Sequence, residues 1–154
     1  MKQDQCDLLP RATYLKAIEN SIGSTQYRSL MVREEESGEV RDILEDGNLS
    51  CAYFVSSVLL LFGMINKQRA TVASLRRFVS EDDRWNEVEV ETEVRPGDVV
   101  FYRERTFPDG EPHAHVGFVL SPTEAASTSY REKCVVKHSL EYHPIDSIWR
   151  YSWE

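Results

Sequence analysis

The sequence has no apolar run long enough to cross a membrane. Its longest apolar stretch, Ala52 to Ile65, is broken by Ser56 and Ser57 and is shorter than the ~20 residues a spanning helix needs. The N-terminus, MKQDQCDLLPRATYL, has one lysine and no apolar block after it, so a secretory signal is not expected. Cysteine is scarce. Cys6, Cys51 and Cys134 form an odd set of three, which excludes a disulfide scaffold and reads as free thiols, one of them available for chemistry. Basic charge is short too: 18 Lys and Arg against 26 Asp and Glu leave a net charge of −8. Such a chain repels phosphate unless its cations cluster, so a nucleic-acid partner is not expected. The one small cluster, Lys67, Arg69, Arg76 and Arg77, reads as a solvated helix face. Internal repeats and low-complexity tracts are absent.

What is present suffices for one folded unit. The chain has 154 residues, 41% of them hydrophobic and 10% aromatic, a composition that excludes disorder and collagen-like repeats. At this size a single core buries roughly 68–70% of the unfolded surface. One domain over residues 1–154 is expected, needing neither metal nor disulfide to fold. The protein is expected to be cytoplasmic as synthesised, with a non-classical delivery route left open, and a monomer is favoured over an oligomer. Acidic residues gather in two stretches, 34–46 and 81–93, each with seven acids; both read as exposed loop or edge.

The first half of the chain reads helical. Pro10 suits a helix start, and Tyr14, Leu15, Ile18 and Ile22 recur at helical spacing until Gly23. Cys51 to Ile65 is apolar nearly all round and must be buried on most faces. A short amphipathic helix follows Thr71. After that the period changes to two. Val88, Val90 and Val94 alternate with acids, Arg95-Pro96-Gly97-Asp98 is a turn, and Val99–Arg103, His113–Leu120 and Lys133–Ser139 read as strands. The end, Pro144 to Trp153, reads as a last strand or an irregular segment. Helices followed by strands predict an α+β domain in which the buried central helix packs on an antiparallel sheet.

Cys51 opens that central helix. Asn48 or Ser50 can cap it, which leaves the sulfur in the first turn, where free N–H groups and the helix dipole favour a thiolate. A thiol nucleophile needs a base. Strand alternation puts His113, His115, Gly117 and Val119 on one face, and His115 becomes that base if the strand presents it to the Cys51 helix. Gly117 would let another element approach closely. On the next predicted strand Cys134, Val136 and His138 share a face. If the two strands are neighbours, His138 stands beside His115 and fixes its tautomer.

These segments, taken in order, resemble the NlpC-type cell-wall cysteine peptidases, a branch of the papain-like fold. The resemblance rests on Ser50-Cys51-Ala52-Tyr53-Phe54-Val55-Ser56, Arg95-Pro96-Gly97-Asp98-Val99-Val100-Phe101, His115-Val116-Gly117-Phe118-Val119 and Val136-Lys137-His138-Ser139. It covers the chain from about Ile18 to its end. The resemblance implies Cys51 as nucleophile, His115 as base, His138 as orienting residue and the Cys51 N–H as part of an oxyanion hole. It also implies Tyr27 as a second oxyanion or substrate contact, with His113 beside the site. The substrate it implies is a peptidoglycan stem peptide or a related D/L-amide, with no cofactor. Two features depart from the family. The usual Asp-Cys-Ser is here Ser50-Cys51-Ala52, and the glycine pair after the upstream tyrosine is missing. The permuted acyltransferases of the superfamily fit less well, because no cysteine follows His138.

Two other readings compete. His113-x-His115, with Cys134, His138 and His143 nearby in sequence, is a zinc-ligand spacing, and the lost Asp-Cys-Ser signature suits a papain-like binding module with a dead site. The catalytic reading needs the Cys51 sulfur and the His115 imidazole to meet on the helix side of the sheet.

Overall fold

The three helices begin where the sequence places them, but the expected cap of the helix opening at Cys51 does not form: Ser50 makes no capping bond and donates to the Gly47 carbonyl, and Asn48 accepts from Lys133. In the computed structural model, which describes residues 5–89 and 93–153, α1 runs Pro10–Ser21, α2 Cys51–Leu61 and α3 Val72–Glu81. Pro10 stands at the start of α1, where its missing N–H breaks no helical bond. Thr71 caps α3 by accepting the Ser74 N–H at 3.2 Å, and Leu75 and Val79 turn inward. Helix α2 buries Ala52, Phe54, Val55, Val58 and Leu59, as its all-round apolar pattern predicts. Its one fully buried polar side chain is satisfied: Ser56 accepts the Arg69 N–H at 2.8 Å and donates to the Arg69 carbonyl at 3.1 Å. Among the described residues, no helix is long and apolar enough to cross a membrane.

Strands β1 (Met31–Arg33) and β2 (Val40–Asp42) form a separate hairpin. The acidic stretch 34–46 therefore includes an exposed hairpin turn as well as loop. The main sheet holds β3 (Trp85–Val88), β4 (Val99–Thr106), β5 (Pro112–Ser121), β6 (Glu124–Ser129), β7 (Cys134–Ser139) and β8 (Ile145–Tyr151). Their order is β3-β8-β4-β5-β6-β7, antiparallel at every pairing. The expected strand through Val88, Val90 and Val94 is realised as β3, which ends at Val88; residues 90–92 lie outside the described residues.

Both faces of the sheet carry a core. Helices α1, α2 and α3 cover one face, where Tyr14, Phe54, Leu59 and Leu75 pack with Val99, Phe101, Val116, Phe118 and Ala126. On the other face Val100, Tyr102, Val119, Ala125 and Ile148 form a smaller cluster closed by Val88 and Leu140. The 95–98 turn ties the sheet to α1. Tyr14 donates its hydroxyl to the Gly97 carbonyl at 2.8 Å. Gly97 has φ +92°, and a Cβ there would lie 2.8 Å from the Tyr14 ring, so only glycine fits. Asp98 is 2% exposed and accepts both the Arg95 N–H and a two-pronged contact from Arg150 at 2.8 and 2.7 Å. The aspartate of this motif is therefore a structural anchor.

One expectation is corrected here. Strands β5 and β7 are not neighbours, because β6 lies between them. Its sequence, Glu-Ala-Ala-Ser-Thr-Ser, carries little β-propensity and gives no strand signal. The small residues have a packing reason. A Cβ at Gly117 would lie 2.6 Å from the Ala126 carbonyl oxygen and 3.0 Å from Ser127 Cβ, so β5 and β6 approach as closely as glycine allows. Gly117→Ala must push these backbones apart and is expected to destabilise the fold by about 1–3 kcal/mol. Urea unfolding measures this directly, and an unchanged midpoint would refute the close approach.

Candidate active site

The β5–β6 ladder pairs Ser121 with Glu124, Val119 with Ala125 and Phe118 with Ala126, and among the described pairs none continues past Phe118 toward His115; continued register would set Val116 opposite Thr128. Residues 116, 118 and 120 of β5 alternate toward β6, since Val119 donates to Asp98 on the β4 side. The Val116 N–H thus points toward β6. The Cys51 sulfur lies near that N–H and near those of Ala52 and of Cys51 itself, which favour its charged form. The N-terminus of α2 thereby sets its sulfur against β5 near Val116.

Strand alternation changes the predicted geometry. Val116 and Phe118 face α2, so alternation turns His115 and Val119 to the other face, beside Tyr102. The imidazole does not share the helix side of the sheet with Cys51, as the sequence reading required. The two residues instead line one cavity of about 510 Å³, together with Ser127, His138 and Tyr142. Tyr142 stands beside both histidines: its ring lies 4.6 Å from His138 and 6.1 Å from His115.

A hydrogen-bond chain links β5, β6 and β7. His138 Nδ1 lies 2.8 Å from the Ser139 carbonyl, which only accepts, so Nδ1 carries the proton. Burial lowers the His138 pKa and keeps the ring neutral, which makes its Nε2 an acceptor. Ser127 therefore donates to His138 Nε2 at 2.7 Å. Its oxygen in turn accepts from His115 Nε2 at 2.8 Å. The direction of every bond is then set, and His115 is left with a bare Nδ1. Ser127, 1% exposed, is the residue that sequence reasoning missed. Three hydroxyl residues in a row on an unrecognised strand were its only signal. The hydrogen bonds join His138 to His115 through it.

Electrostatics oppose the thiolate that the helix start was expected to favour. The three backbone N–H groups lower the Cys51 pKa, but burial outweighs them and pushes the thiol up to about 11. Part of the residue stays open to the cavity, yet atoms crowd the sulfur closely enough for desolvation to dominate. Burial first, then the charges of His138, Arg105 and His143, press the His115 imidazole down to about 3. At neutral pH the resting pair is thus a thiol and a neutral imidazole.

The other predicted residues fall unevenly. His113 lines the cavity rim, bonded to Asp109 at 2.8 Å and set 4.6 Å from the Phe107 ring. Tyr27 packs on Phe54 and Tyr53, with ring centroids 4.9 and 6.4 Å apart, and does not line the cavity. Its ring supports the first turns of α2. For the zinc reading, His113 and His115 spend their nitrogens on different partners, and His143 donates to the Arg103 carbonyl. Among the described residues no group of three or more His, Cys, Asp or Glu side chains converges to hold a metal.

Comparison with known proteins adds no name to this geometry: no protein-family model matches the chain, and no curated protein does.

Proposed function

We propose that the protein is a cysteine hydrolase of papain-like architecture that cleaves an amide bond through a thioester on Cys51. The observation that carries this reading is the cavity shared by Cys51 and His115, with a hydrogen-bond chain that leaves His115 Nδ1 as the free base. In this reading His115 Nδ1 takes the thiol proton as sulfur attacks the carbonyl carbon. The oxyanion forms beside the Cys51 N–H at the start of α2. His115 then returns the proton to the departing amine, and water, deprotonated by the same nitrogen, releases the acid. The imidazolium formed in between is held through Ser127 and His138, as the third member of a triad holds its histidine.

The resemblance to NlpC-type peptidases supports a peptidoglycan stem peptide, or a related D/L-amide, as substrate. Digestion of muropeptides, with rapid acid quench and mass analysis of the protein, tests the proposal. Cleavage with an acyl adduct on the Cys51 peptide is expected, and neither product nor adduct would overturn it. The raised thiol pKa favours the second reading, a binding module with an idle site, and the same experiment decides between them.

Ser127 gives a finer test. Ser127→Ala breaks the chain at its centre and frees the His115 ring to change tautomer. Turnover is expected to fall about 10–100-fold, the value of a hydrogen bond to a charged group, with KM nearly unchanged. Wild-type turnover in this variant would show that the chain is idle.

A further inference from the structure

We propose that the Arg105 guanidinium is a carboxylate-binding subsite of this cavity, so that the substrate is an amide carrying a carboxylate close to the scissile bond. This deepens the hydrolase reading and rests on it for the word substrate; the subsite itself stands on separate observations.

Arg105 lies on β4 opposite His113 and lines the cavity that holds Cys51 and His115. Its guanidinium is held over two aromatic rings, 5.1 Å from the Phe107 centroid and 5.7 Å from that of Tyr142. Stacking of this kind orients the plane and leaves the N–H edge free. Among the described residues, Arg105 makes no ion pair, and no protein acceptor takes its N–H groups. Arg28, Arg41, Arg76, Arg84 and Arg150 are paired with carboxylates; of the arginines without an ion pair among the described residues, Arg105 and Arg131 line the cavity.

The surroundings carry the same sign. In a chain of net charge −8, this cavity is lined by Arg105 and Arg131 against a single acid, Glu104. The first turns of α2 and α3 also line it, through Cys51 and through Val72 and Ala73, and helix starts favour negative charge. A fork of five donors with no internal partner matches a carboxylate. Occupancy would also act on the chemistry. Arg105 is one of the cations that disfavour a charged His115, so a carboxylate bound to it removes part of that opposition and makes Nδ1 a better base. An anionic substrate would thus help switch on the site it enters.

Two alkylating agents of nearly the same shape test this on the intact protein. Iodoacetate carries a carboxylate, and iodoacetamide is its neutral amide. Both form an S–C bond with loss of iodide and of the thiol proton. Peptide mass analysis gives the ratio of carboxymethyl to carbamidomethyl adduct at Cys51, with the exposed Cys6 as internal reference. The ratio at Cys51 is expected to exceed that at Cys6 about tenfold, the scale of one charge-assisted contact. Arg105→Gln should remove the excess, and Arg105→Lys should keep part of it. Succinate, but not succinamide, should protect Cys51 from iodoacetamide in the wild type, which needs no variant to fold. Equal ratios at the two cysteines, an excess unchanged in Arg105→Gln, or a Cys51 inert to both reagents would overturn the subsite. If the excess appears but no amide is ever cleaved, the hydrolase reading fails and the subsite stands. If amides are cleaved without charge preference, the reverse holds.

Discussion

Cys51→Ala is expected to abolish amide turnover while leaving stability within about 1 kcal/mol of the wild type. Loss of a nucleophile that works as a unit with its base removes some five to six orders of magnitude, at about the level where binding and oxyanion contacts alone remain. The stability side follows from position. Cys51 is the first residue of α2, and alanine has the higher helix propensity. Against that, the Val116 N–H loses the polarisable sulfur beside it, a change of at most about 1 kcal/mol. Thermal melts and the muropeptide assay on one preparation check both halves. Undiminished turnover would remove Cys51 from the chemistry altogether. A collapsed melting curve would instead make it a packing residue.

His115→Gln has the second large effect, and it shows in two measurements. Without a base, turnover should fall about 10²–10⁴-fold. The variant should also resist acid better than the wild type. Inside the fold the imidazole sits at about 3, whereas in the unfolded chain it titrates near ~6.5. Above that upper value both states hold the ring neutral, and it contributes no pH dependence. Below it the unfolded chain binds a proton that the folded one refuses, so stability falls as the pH drops through this window and levels off near the lower value. His138 shifts in the same direction and stays in both proteins. Removing the His115 contribution should flatten the stability curve between these limits by an amount on the order of a few kcal/mol. Urea unfolding at several pH values from 7 to about 4 is the check. Parallel curves for the two proteins would mean that His115 is hydrated and free to charge.

The lowered thiol pKa expected from the helix start and the raised one in the fold come from the same two effects with the balance reversed. A helix start lowers a cysteine pKa only while the sulfur keeps enough contact with water. Cys51 has the N–H groups of the helix start beside it, as expected, but it meets them buried in the fold. Chemistry then depends on what enters the cavity. A substrate that brings negative charge and excludes water alters both members of the pair at once, which gives the Arg105 subsite a role in activation as well as in recognition.

Much of the architecture was legible because it is local. Pro10, Thr71 and the apolar run after Cys51 set three helix starts through bonds and packing within a few residues. Arg95-Pro96-Gly97-Asp98 announced its turn, and the alternation around Val116 and Phe118 announced a strand with two unlike faces. What stayed hidden was β6, because small residues and hydroxyls give no periodic signal. With β6 unseen, Ser127 was unseen, and His138 was set directly beside His115 rather than one hydroxyl away.

The sequence by itself determined which elements form, where the sulfur stands on its helix and which few imidazoles compete to serve it. Only the tertiary structure decided that the β5–β6 pairing ends at Phe118, that Cys51 and His115 line one cavity from different faces of the sheet, and that a serine sets which nitrogen of His115 is bare. The physical reason is range. Helix starts and turns depend on neighbours a few positions away, whereas an interrupted ladder depends on strands that choose partners across the whole chain, and no local pattern records where their hydrogen bonds stop.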